Sequence, residues 1–516
     1  MNETPKAKSG WRWPRRILIT LAVLATLVAI FYAEEDWRGK HDWESYKHEL
    51  EARGEKLDWQ AFVPPAVPDD QNFFTAPIFT NMLDGKIMMA PYGDDAGPDI
   101  RPDASRSGYA IYREQVTDLA AWQNYYRNPT NIHAVVVMAF TNGDFVDQTD
   151  YLNHAADDFP IAPQPQTPAK DVLLALSKFD SAIEELRQAS QRPYAAIPLN
   201  YADGFNTGGT LLPYLAALKR CTQLLQLRAS AELADGQSAK ALEDVKLMLR
   251  LGNSLHSSPF LISELVRIAI VNLAMQQVWE GLAEHKWSDE QLAALETELG
   301  KMDFLADWES AMRGERAFAI ASLENQRRTR KIISYADQRA VTNRLALMPG
   351  AFFYQSELEF ARLYQDWVFP IVDTNSRTVS LAALQRLEAH VRQEKKHYSP
   401  YKAEALMAVQ AVGASARKFG ITQAEVDLAR VACALERYRL AHGEYPETLD
   451  ALVPQFIEQL PDDVVNGQPL HYRLTDDGNF VLYSVGWNGT DDGGQVVLNK
   501  GYESVNPDEG DWVWKY

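Results

Sequence analysis

The feature that most constrains this chain is an apolar run close to its N-terminus. Residues Ile17 to Ala33 carry no charge, and residues 1–16 before them hold five basic side chains against one acidic one. Seventeen residues of helix rise about 25 Å, which is at the short end of what spans a bilayer. Basic residues ahead of such a run favour a cytoplasmic N-terminus and an exported remainder. We therefore predict a cytoplasmic basic segment at 1–16 and a single transmembrane signal anchor at 17–33 in the inner membrane, with the bulk of the chain in the periplasm.

Two other interpretations of the apolar run stay open. A cleaved signal peptide needs small residues three positions and one position before the cut, and a cut after Ala33 places Phe31 at the first of these. The other interpretation is a buried core helix, against which the basic flank and the terminal position argue. Aromatic side chains at the ends of the run, Trp11, Trp13 and Tyr32 among them, stand where interfacial anchors are expected.

The composition is that of a globular protein with an acidic balance. Of the 516 residues 46% are hydrophobic, and 51 Lys+Arg stand against 70 Asp+Glu, which gives a net charge of −19. So acidic a chain lacks the electrostatic footprint for phosphate backbones, and we expect no nucleic-acid partner. The two cysteines, Cys221 and Cys433, lie in apolar helical stretches and are predicted to be buried free thiols, although a single bridge stays open.

Hydrophobic spacing predicts a mainly α fold with three exported regions. Residues 34–167 start with a juxtamembrane helix that Gly54 can end, pass through a Pro-rich linker at 62–73 and then mix signals, with a strand predicted at His133–Phe140. Residues 168–420 have apolar residues at helical spacing, which predicts a solenoid-like or bundled helical body. Within it, residues 224–255 resemble a single tetratricopeptide-like helical hairpin.

Two further features of the helical body suggest contacts with other molecules. Arg327, Arg328, Arg330 and Lys331 form a basic group that we expect within one helix. Such a group suits anionic lipid or an acidic partner surface, and a solvated helix face is the alternative. The aromatic-rich residues 348–369 line a groove, or they form the core side of an amphipathic helix.

The last 96 residues predict a small α+β module at 421–516. An amphipathic helix is expected at Ile421–Leu440, with Thr422 and Glu425 as a capping box, Gly443 as the C-cap and a short helix following at Glu447–Leu452. An Asp-Asp-Gly turn joins the first two strands as a hairpin. The predicted strands are Leu470–Thr475, Asn479–Val485, Val496–Leu498 and Trp512–Trp514. The module holds 17 acidic and 6 basic side chains, which suits a cation or a basic partner surface.

This order of motifs resembles the globular domain of type II secretion major pseudopilins. In that family a long helix ends in a Gly-x-Tyr-Pro turn, and a short helix and a small antiparallel sheet follow. The family's processed segment, a glycine before Phe-Thr-Leu-x-Glu, has no counterpart at Ile17–Ala33, so the chain is not an ordinary pilus subunit. The matching pieces are YRLAHGEYPETLDALVPQF at 438–456, LP at 460–461, NGQPLHY at 466–472 and FVLYSVGWNGTDDGG at 480–494.

The resemblance implies a calcium site in the loop after the second strand. Matched by position, the residues concerned are Ser484, Asn488, Asp491 and Asp492. Calcium takes about six to eight oxygen ligands from carboxylates, amides and backbone carbonyls, which such a loop contains. The loop is shorter than in the family and Asn488 replaces an acid, so a solvated Asp-Gly turn is the alternative.

The sequence contains none of the common catalytic signatures. Phosphate loops, Rossmann fingerprints, HExxH pairs and G-x-S-x-G elbows are missing from it. We therefore predict no catalytic residue and a structural or interaction protein of the bacterial envelope, with partners in a type II secretion or pilus-like system. The alternative is an exported hydrolase acting on polysaccharide or peptide, with its site in residues 62–167 or in a helical cleft.

Overall fold

The structure is a computed structural model that describes residues 12–87, 89–91, 113, 115–127, 138–141, 144–147, 159–201, 207–330, 348–397, 399–499 and 505–516. Helices dominate the described residues and the sheets are small and antiparallel, which confirms the mainly α prediction. The helices are α1 (Arg12–Ala52), α2 (Pro77–Leu83), α3 (Leu119–Arg127), α4 (Pro168–Leu176), α5 (Asp180–Ala189), α6 (Thr207–Ala234), α7 (Ser238–Asn253), α8 (Leu261–Ala283), α9 (Asp289–Leu299), α10 (Phe304–Thr329), α11 (Gly350–Leu363), α12 (Leu381–Glu394), α13 (Ala403–Ala408) and α14 (Val412–His442). The strands are β1 (Met138–Thr141), β2 (Asp144–Asp147), β3 (Val372–Asp373), β4 (Thr378–Val379), β5 (His471–Leu474), β6 (Phe480–Ser484), β7 (Val496–Leu498), β8 (Val505–Gly510) and β9 (Trp512–Trp514).

The chain forms two compact units, and each is assembled from separate stretches. Unit 1 consists of Met1–Ala61, Arg316–Asp366 and Ala389–Gln410, and unit 2 of Phe62–Glu315, Trp367–Glu388 and Ala411–Tyr516. The division into regions 34–167, 168–420 and 421–516 stays a prediction from the sequence. Of the strand expected at His133–Phe140, residues 133–137 lie outside the described part, and β1 begins at Met138.

Helix α1 carries the apolar run into unit 1 without a break. Along the run the side chains are exposed, with Leu21 and Leu24 each 58% accessible. An exposed apolar helix of this length is consistent with a single membrane anchor. Beyond Glu34 the helix turns polar and buries Trp43 and Leu50 in unit 1, and it ends shortly before Gly54, as predicted.

Helix α8 is also long and apolar enough to cross a membrane by composition. Within its most apolar 18-residue window, 67% of the helix is buried in unit 2. It also carries Glu264, Arg267 and Glu280, all buried and all hydrogen-bonded to neighbouring side chains. These features are those of a core helix, because a spanning helix would present its apolar residues to lipid.

In unit 1, α11 runs parallel to the polar half of α1. Near the start of α11 and of the polar half of α1, a Cβ placed on Gly39 would lie 3.4 Å from the Ala351 Cα, so the two backbones approach closely. Further along, the Arg362 guanidinium lies 5.3 Å from the centre of the Tyr46 ring. Of the aromatic-rich residues 348–369, those within α11 thus pack as an amphipathic helix, with Phe353 fully buried.

The unit 1 part of α10 runs the opposite way. Arg316 donates to Glu55 just beyond the end of α1 at 2.6 Å, whereas Arg327 donates to Glu357 on α11 at 3.4 Å. The prediction that the basic group 327–331 lies within one helix is wrong. The helix ends at Thr329 and Arg330 takes a left-handed φ of 56°, while Lys331 lies outside the described residues.

The helical core of unit 2 contains the predicted hairpin. Helices α6 and α7 pack antiparallel, and α8 packs against both of them. Helix α9 begins with the predicted capping box, in which Ser288 and Gln291 satisfy each other's backbone N–H groups. Cys221 and Cys433 are buried free thiols, as predicted. The tetratricopeptide resemblance of residues 224–255 stays a prediction.

Helix α14 lies at the centre of unit 2 and corrects one prediction. No helix begins at Ile421, because α14 starts at Val412 and is buried on all sides from Phe419 to Ala429. The predicted capping box is therefore wrong. Thr422 Oγ1 donates to the Lys418 carbonyl one turn back at 2.8 Å, and Glu425 pairs with Arg113. Burial on all sides sustains the helix through residues that would suit a helix start.

Four of the C-terminal strands form where the sequence predicts them, whereas β8 at Val505–Gly510 was not predicted. Strand order is β5-β6-β9 in one sheet and β7-β8 in another, and β5 and β6 form the hairpin around the Asp-Asp-Gly turn. Gly443 ends α14 with a φ of 87°, which a residue without Cβ adopts at little cost. The short helix expected at Glu447–Leu452 is a 3-10 turn at Leu449–Leu452.

Candidate functional site

Asn488, Asp491 and Asp492 lie in the loop after β6, whereas the fourth predicted calcium ligand, Ser484, is the last residue of that strand. It is fully buried, and its Oγ donates to Asp463 Oδ1 at 2.9 Å. The second Asp463 oxygen accepts the Val485 N–H at 2.9 Å. At Gly486, where φ is 68°, a Cβ would lie 2.2 Å from the Gly510 carbonyl oxygen, so only glycine fits. Ser484 therefore fixes the end of β6 and is turned inward.

Asn488 and Asp492 are the two predicted ligands that contact each other. The Asn488 amide donates to Asp492 Oδ2 at 2.7 Å, and its own oxygen accepts the Thr490 N–H at 2.8 Å. This contact closes the exposed tip of the loop. Both side chains thus stabilise the turn, and Asn488 Oδ1 and Asp492 Oδ2 each accept a hydrogen bond.

Asp491 lies on the opposite side of the loop, against the sheet. Its Oδ1 accepts the Gly493 N–H at 2.9 Å and the Tyr483 hydroxyl at 3.1 Å, and its Oδ2 lies 3.4 Å from His471 Nδ1. The Gly493 hydrogen bond is the main reason why the pKa of Asp491 is lowered. The carboxylate is accordingly held in its charged form.

A buried aspartate that sequence reasoning missed organises the same loop. Asp511, only 2% exposed, accepts the Gly494 N–H at 2.6 Å and the Asp492 N–H at 3.3 Å. Burial raises the pKa of Asp511, and the two N–H donors oppose that shift. Its position directly before the predicted strand Trp512–Trp514 was visible in the sequence. Its hydrogen bond with the Gly494 N–H, 17 residues away, was not.

The loop is therefore arranged around hydrogen bonds. Asp463, Asp491 and Asp511 each accept two hydrogen bonds or more from the chain around them. In the described part of the chain, no three His, Cys, Asp or Glu side chains lie together in a way that could hold a metal ion. Calcium at Asn488 and Asp492 would have to replace the contact between them, and backbone carbonyls would have to supply most ligands.

A second polar cluster joins the module to the helical core. Glu436 of α14 accepts from His285 at 2.8 Å, from the Tyr445 hydroxyl at 2.9 Å and from two Arg439 nitrogens at 2.6 and 2.8 Å. Burial by itself would raise the pKa of Glu436, but these donors together lower it. Tyr445 belongs to the Gly-Glu-Tyr-Pro turn, and the Lys515 carbonyl nearby accepts the Trp279 indole N–H at 3.0 Å. The C-terminal strands are thus fastened to α8 and α14.

Two more carboxylates are buried on α14. Glu425 pairs with Arg113, and Asp427 accepts from Gln423 at 3.0 Å and lies 3.5 Å from Arg430. Burial raises the pKa of Glu425 to about 7 and that of Asp427 to about 6, although the neighbouring cations oppose it. These pairs are buried inside unit 2, where they join α14 to its neighbours.

The carboxylate pair closest to an acid-base arrangement is buried too. Glu232 and Asp244 are each about 1% exposed, and Arg228 lies 3.3 Å from the first and 3.6 Å from the second. Arg187 donates to Asp244 at 2.7 Å. A glycosidase needs its two carboxyl groups open to the substrate. This cluster therefore serves the packing of α6 against α7.

One histidine combines exposure with an orienting carboxylate. His256 Nδ1 lies 3.1 Å from Asp307 Oδ1, while its side chain remains 62% exposed. The hydrogen bond to Asp307 raises the pKa of His256. The buried Arg267 shares Asp307 and also donates to Glu264 at 3.0 Å. Within the described residues, no serine hydroxyl or cysteine thiol is hydrogen-bonded to this ring, so the nucleophile of a catalytic triad is missing from the arrangement.

Comparisons with known proteins place no relative beside this chain. Neither a protein-family model, nor a characterised protein, nor a solved structure matches it.

Proposed function

We propose that this chain is a membrane-anchored, exported structural or interaction protein of the bacterial envelope. In this proposal α1 crosses the inner membrane once, with residues 1–16 in the cytoplasm and the rest of both units, from Glu34 onwards, in the periplasm. The observation that carries it is the unburied apolar half of α1, which continues without a break into a packed half. Such a surface needs lipid around it, since exposed apolar faces of this length are costly in water.

The anchor is tested by extraction of membranes with alkaline carbonate. We expect the chain to stay in the pellet, and a variant with Leu21, Leu24 and Leu27 changed to lysine to move to the supernatant, because charges at the bilayer centre are costly. Lys40→Leu, on the exposed polar half of α1, is the matched control and should stay in the pellet. Release of the unchanged chain by carbonate would refute the anchor.

Topology is tested by labelling with a membrane-impermeant maleimide. The native cysteines are both buried, so a new surface cysteine reacts selectively. We expect Asp476→Cys to be labelled in cells with a permeabilised outer membrane, and Asn2→Cys only after lysis. Labelling in the reverse order would contradict the proposed orientation.

The proposed partners are proteins of a type II secretion or pilus-like system, on the strength of the pseudopilin resemblance alone. Affinity capture of the full chain from its native membrane should recover subunits of such a system. The matched control carries Gly486→Val, which collides with the Gly510 carbonyl and disrupts the module. Recovery of no envelope protein above background, or equal recovery with the control, would contradict this assignment.

Calcium binding at Asn488, Asp491 and Asp492, with Ser484 at the strand end, stays a prediction from the same resemblance. If the loop binds calcium, the ion should raise the melting temperature of the full chain relative to a chelator. Asp492→Asn should abolish this shift, whereas Asp477→Asn in the neighbouring turn should keep it. Identical melting curves in calcium and in chelator would refute the site.

The alternative, an exported hydrolase acting on polysaccharide or peptide, has one observation in its favour, the exposed His256 oriented by Asp307. Full-length protein would then hydrolyse cell-wall polysaccharide or peptide substrates, and His256→Gln would remove that activity while the exposed His48→Gln would not. Absence of hydrolysis in the unchanged protein would exclude this alternative for the substrates tried.

A further inference from the structure

One end of unit 1 lies beside the point where α1 leaves its apolar run. Asp36 follows Ala33 by three residues, which is about 5 Å of helix. Its Oδ1 accepts the Ala351 N–H at 2.5 Å, and so Asp36 caps the start of α11 from a neighbouring helix. The first turn of α11 is therefore level with the end of the apolar run.

The end of α10 reaches the same place. Arg330, just beyond that helix, donates to the Met348 carbonyl at 2.6 Å, and its guanidinium lies 5.2 Å from the centre of the Phe353 ring. Met348 precedes α11 by two residues. The C-terminus of α10 and the N-terminus of α11 thus meet next to Asp36, and we call this part of unit 1 the membrane-proximal end.

The side chains exposed there are those that favour a lipid interface. Trp37 is 69% exposed and Met348 is 37% exposed, and Arg328 is exposed in the last turn of α10. Indole rings and guanidinium groups concentrate at the headgroup level of bilayers, where an apolar body and a polar tip are both solvated. An arginine pairs with phosphate through several N–H donors at once.

The acidic groups at this end are largely engaged within the chain. Asp36 caps α11, and Glu35 pairs with Arg38 one turn further along α1. Arg327 is likewise engaged, with Glu357 and with the Tyr354 hydroxyl, whereas Arg328 in the same turn is exposed.

We propose that the membrane-proximal end, formed by Trp37, Arg328, Arg330 and Met348, rests on the surface of the bilayer that α1 spans. Arg328 contacts the phosphates of phospholipid headgroups, and Trp37 and Met348 enter the interfacial layer. The inference rests on the proposed function, since it requires α1 to be the anchor. It assigns to unit 1 a fixed face towards the membrane and leaves the remaining surface of that unit for partners.

The test places a fluorescent label on Met348→Cys in the full-length chain, reconstituted into phosphatidylcholine vesicles that contain headgroup-quencher lipids. Arg53→Cys is the matched control, because Arg53 directly follows α1 and lies about 25 Å beyond Asp36 along the helix axis. We expect quenching at position 348 to exceed that at position 53 at least about threefold. Equal quenching at the two positions, in vesicles that keep the chain through a carbonate wash, would overturn the inference and leave the anchor intact. Release of the chain by carbonate would overturn the anchor, and the inference with it.

A charge reversal separates phosphate contact from apolar contact. In vesicles that mix phosphatidylcholine with phosphatidylglycerol, Arg328→Glu should reduce the quenching at position 348 at least about twofold. Arg53→Glu, the same charge change at the far end of α1, should leave it unchanged. Quenching that is unaffected by Arg328→Glu would overturn the headgroup contact of Arg328.

Discussion

At the residue scale, Glu436 shows how this chain keeps charges inside. A buried carboxylate costs free energy unless donors surround it, and Glu436 has donors from His285, Arg439 and Tyr445 on both of its oxygens. Those donors come from α14 itself, from the segment after α8 and from the Gly-Glu-Tyr-Pro turn. One side chain thus holds three parts of unit 2 in register.

We expect Glu436→Gln to lower the free energy of unfolding by about 2 kcal/mol, because a neutral amide loses charge-assisted hydrogen bonds and leaves Arg439 without its anion. Tyr445→Phe should lower it by about 1 kcal/mol through the loss of one hydrogen bond. Urea unfolding of the full chain measures both changes. The neighbouring exposed Glu444→Gln is the control, and an equal loss in that variant would contradict the role of Glu436.

At the element scale, the N-terminus of α11 depends on a residue from another helix. Its own N-cap position is Pro349, which offers no side-chain acceptor, and Asp36 of α1 supplies one. The carboxylate also places a negative charge at the positive end of the α11 dipole. The contact between α1 and α11 therefore includes a specific hydrogen bond as well as apolar packing.

Asp36→Ala should destabilise unit 1 by about 1 kcal/mol, since it removes this cap and its charge. Asp36→Asn keeps an acceptor and should restore about half of the loss. The control is Asp42→Ala, on the exposed face of α1. Thermal unfolding followed by circular dichroism gives the two melting temperatures. Equal melting temperatures of Asp36→Ala and Asp42→Ala would contradict the capping role of Asp36.

Elements with local signals were predictable from the sequence, and those set by distant contacts were not. The capping box of α9, the hairpin of β5 and β6, and Gly443 follow from patterns within a few residues. The start of α14 was missed, because burial on all sides overrides a motif at Thr422 that would begin a helix elsewhere. For the candidate loop, the pseudopilin resemblance pointed to Asn488 and Asp492, and these two side chains are hydrogen-bonded to each other. The resemblance could not show that Asp463 and Asp511 hold the same loop from 21 and 17 residues away.

At the scale of the whole molecule, buried acids make stability depend on pH. Burial raises the pKa of Glu357 to about 7 and also raises the pKa values of Glu232 and Asp244, besides those of Glu425 and Asp427 on α14. The same groups titrate near pH 4 when unfolded. Between those values the folded chain keeps protons that the unfolded chain has lost, so raising the pH favours unfolding.

We therefore expect the melting temperature to fall as the pH rises from about 4 to about 7, the window between the unfolded and folded pKa values. Over this window, ionisation of Glu357 should lower the free energy of unfolding by on the order of 2 kcal/mol. Glu357→Gln removes its titration and should flatten the profile, while the exposed Glu44→Gln should not. A melting temperature that is constant or rises across this window would contradict the prediction.

The unbroken course of α1 has a mechanical consequence. A hinge between an anchor and the part that follows would let that part tumble, but one helix passes from the apolar run into its packing with α11. The height of the packed part of unit 1 along the α1 axis and its rotation about that axis are then coupled, because each residue of helix corresponds to about 1.5 Å of rise and about 100° of rotation. One residue inserted between Ala33 and Asp36 would lift unit 1 slightly and turn it to face a different neighbour. In the proposed anchor, the number of residues between the apolar run and Asp36 therefore sets which face of the packed part of unit 1 points in a given direction.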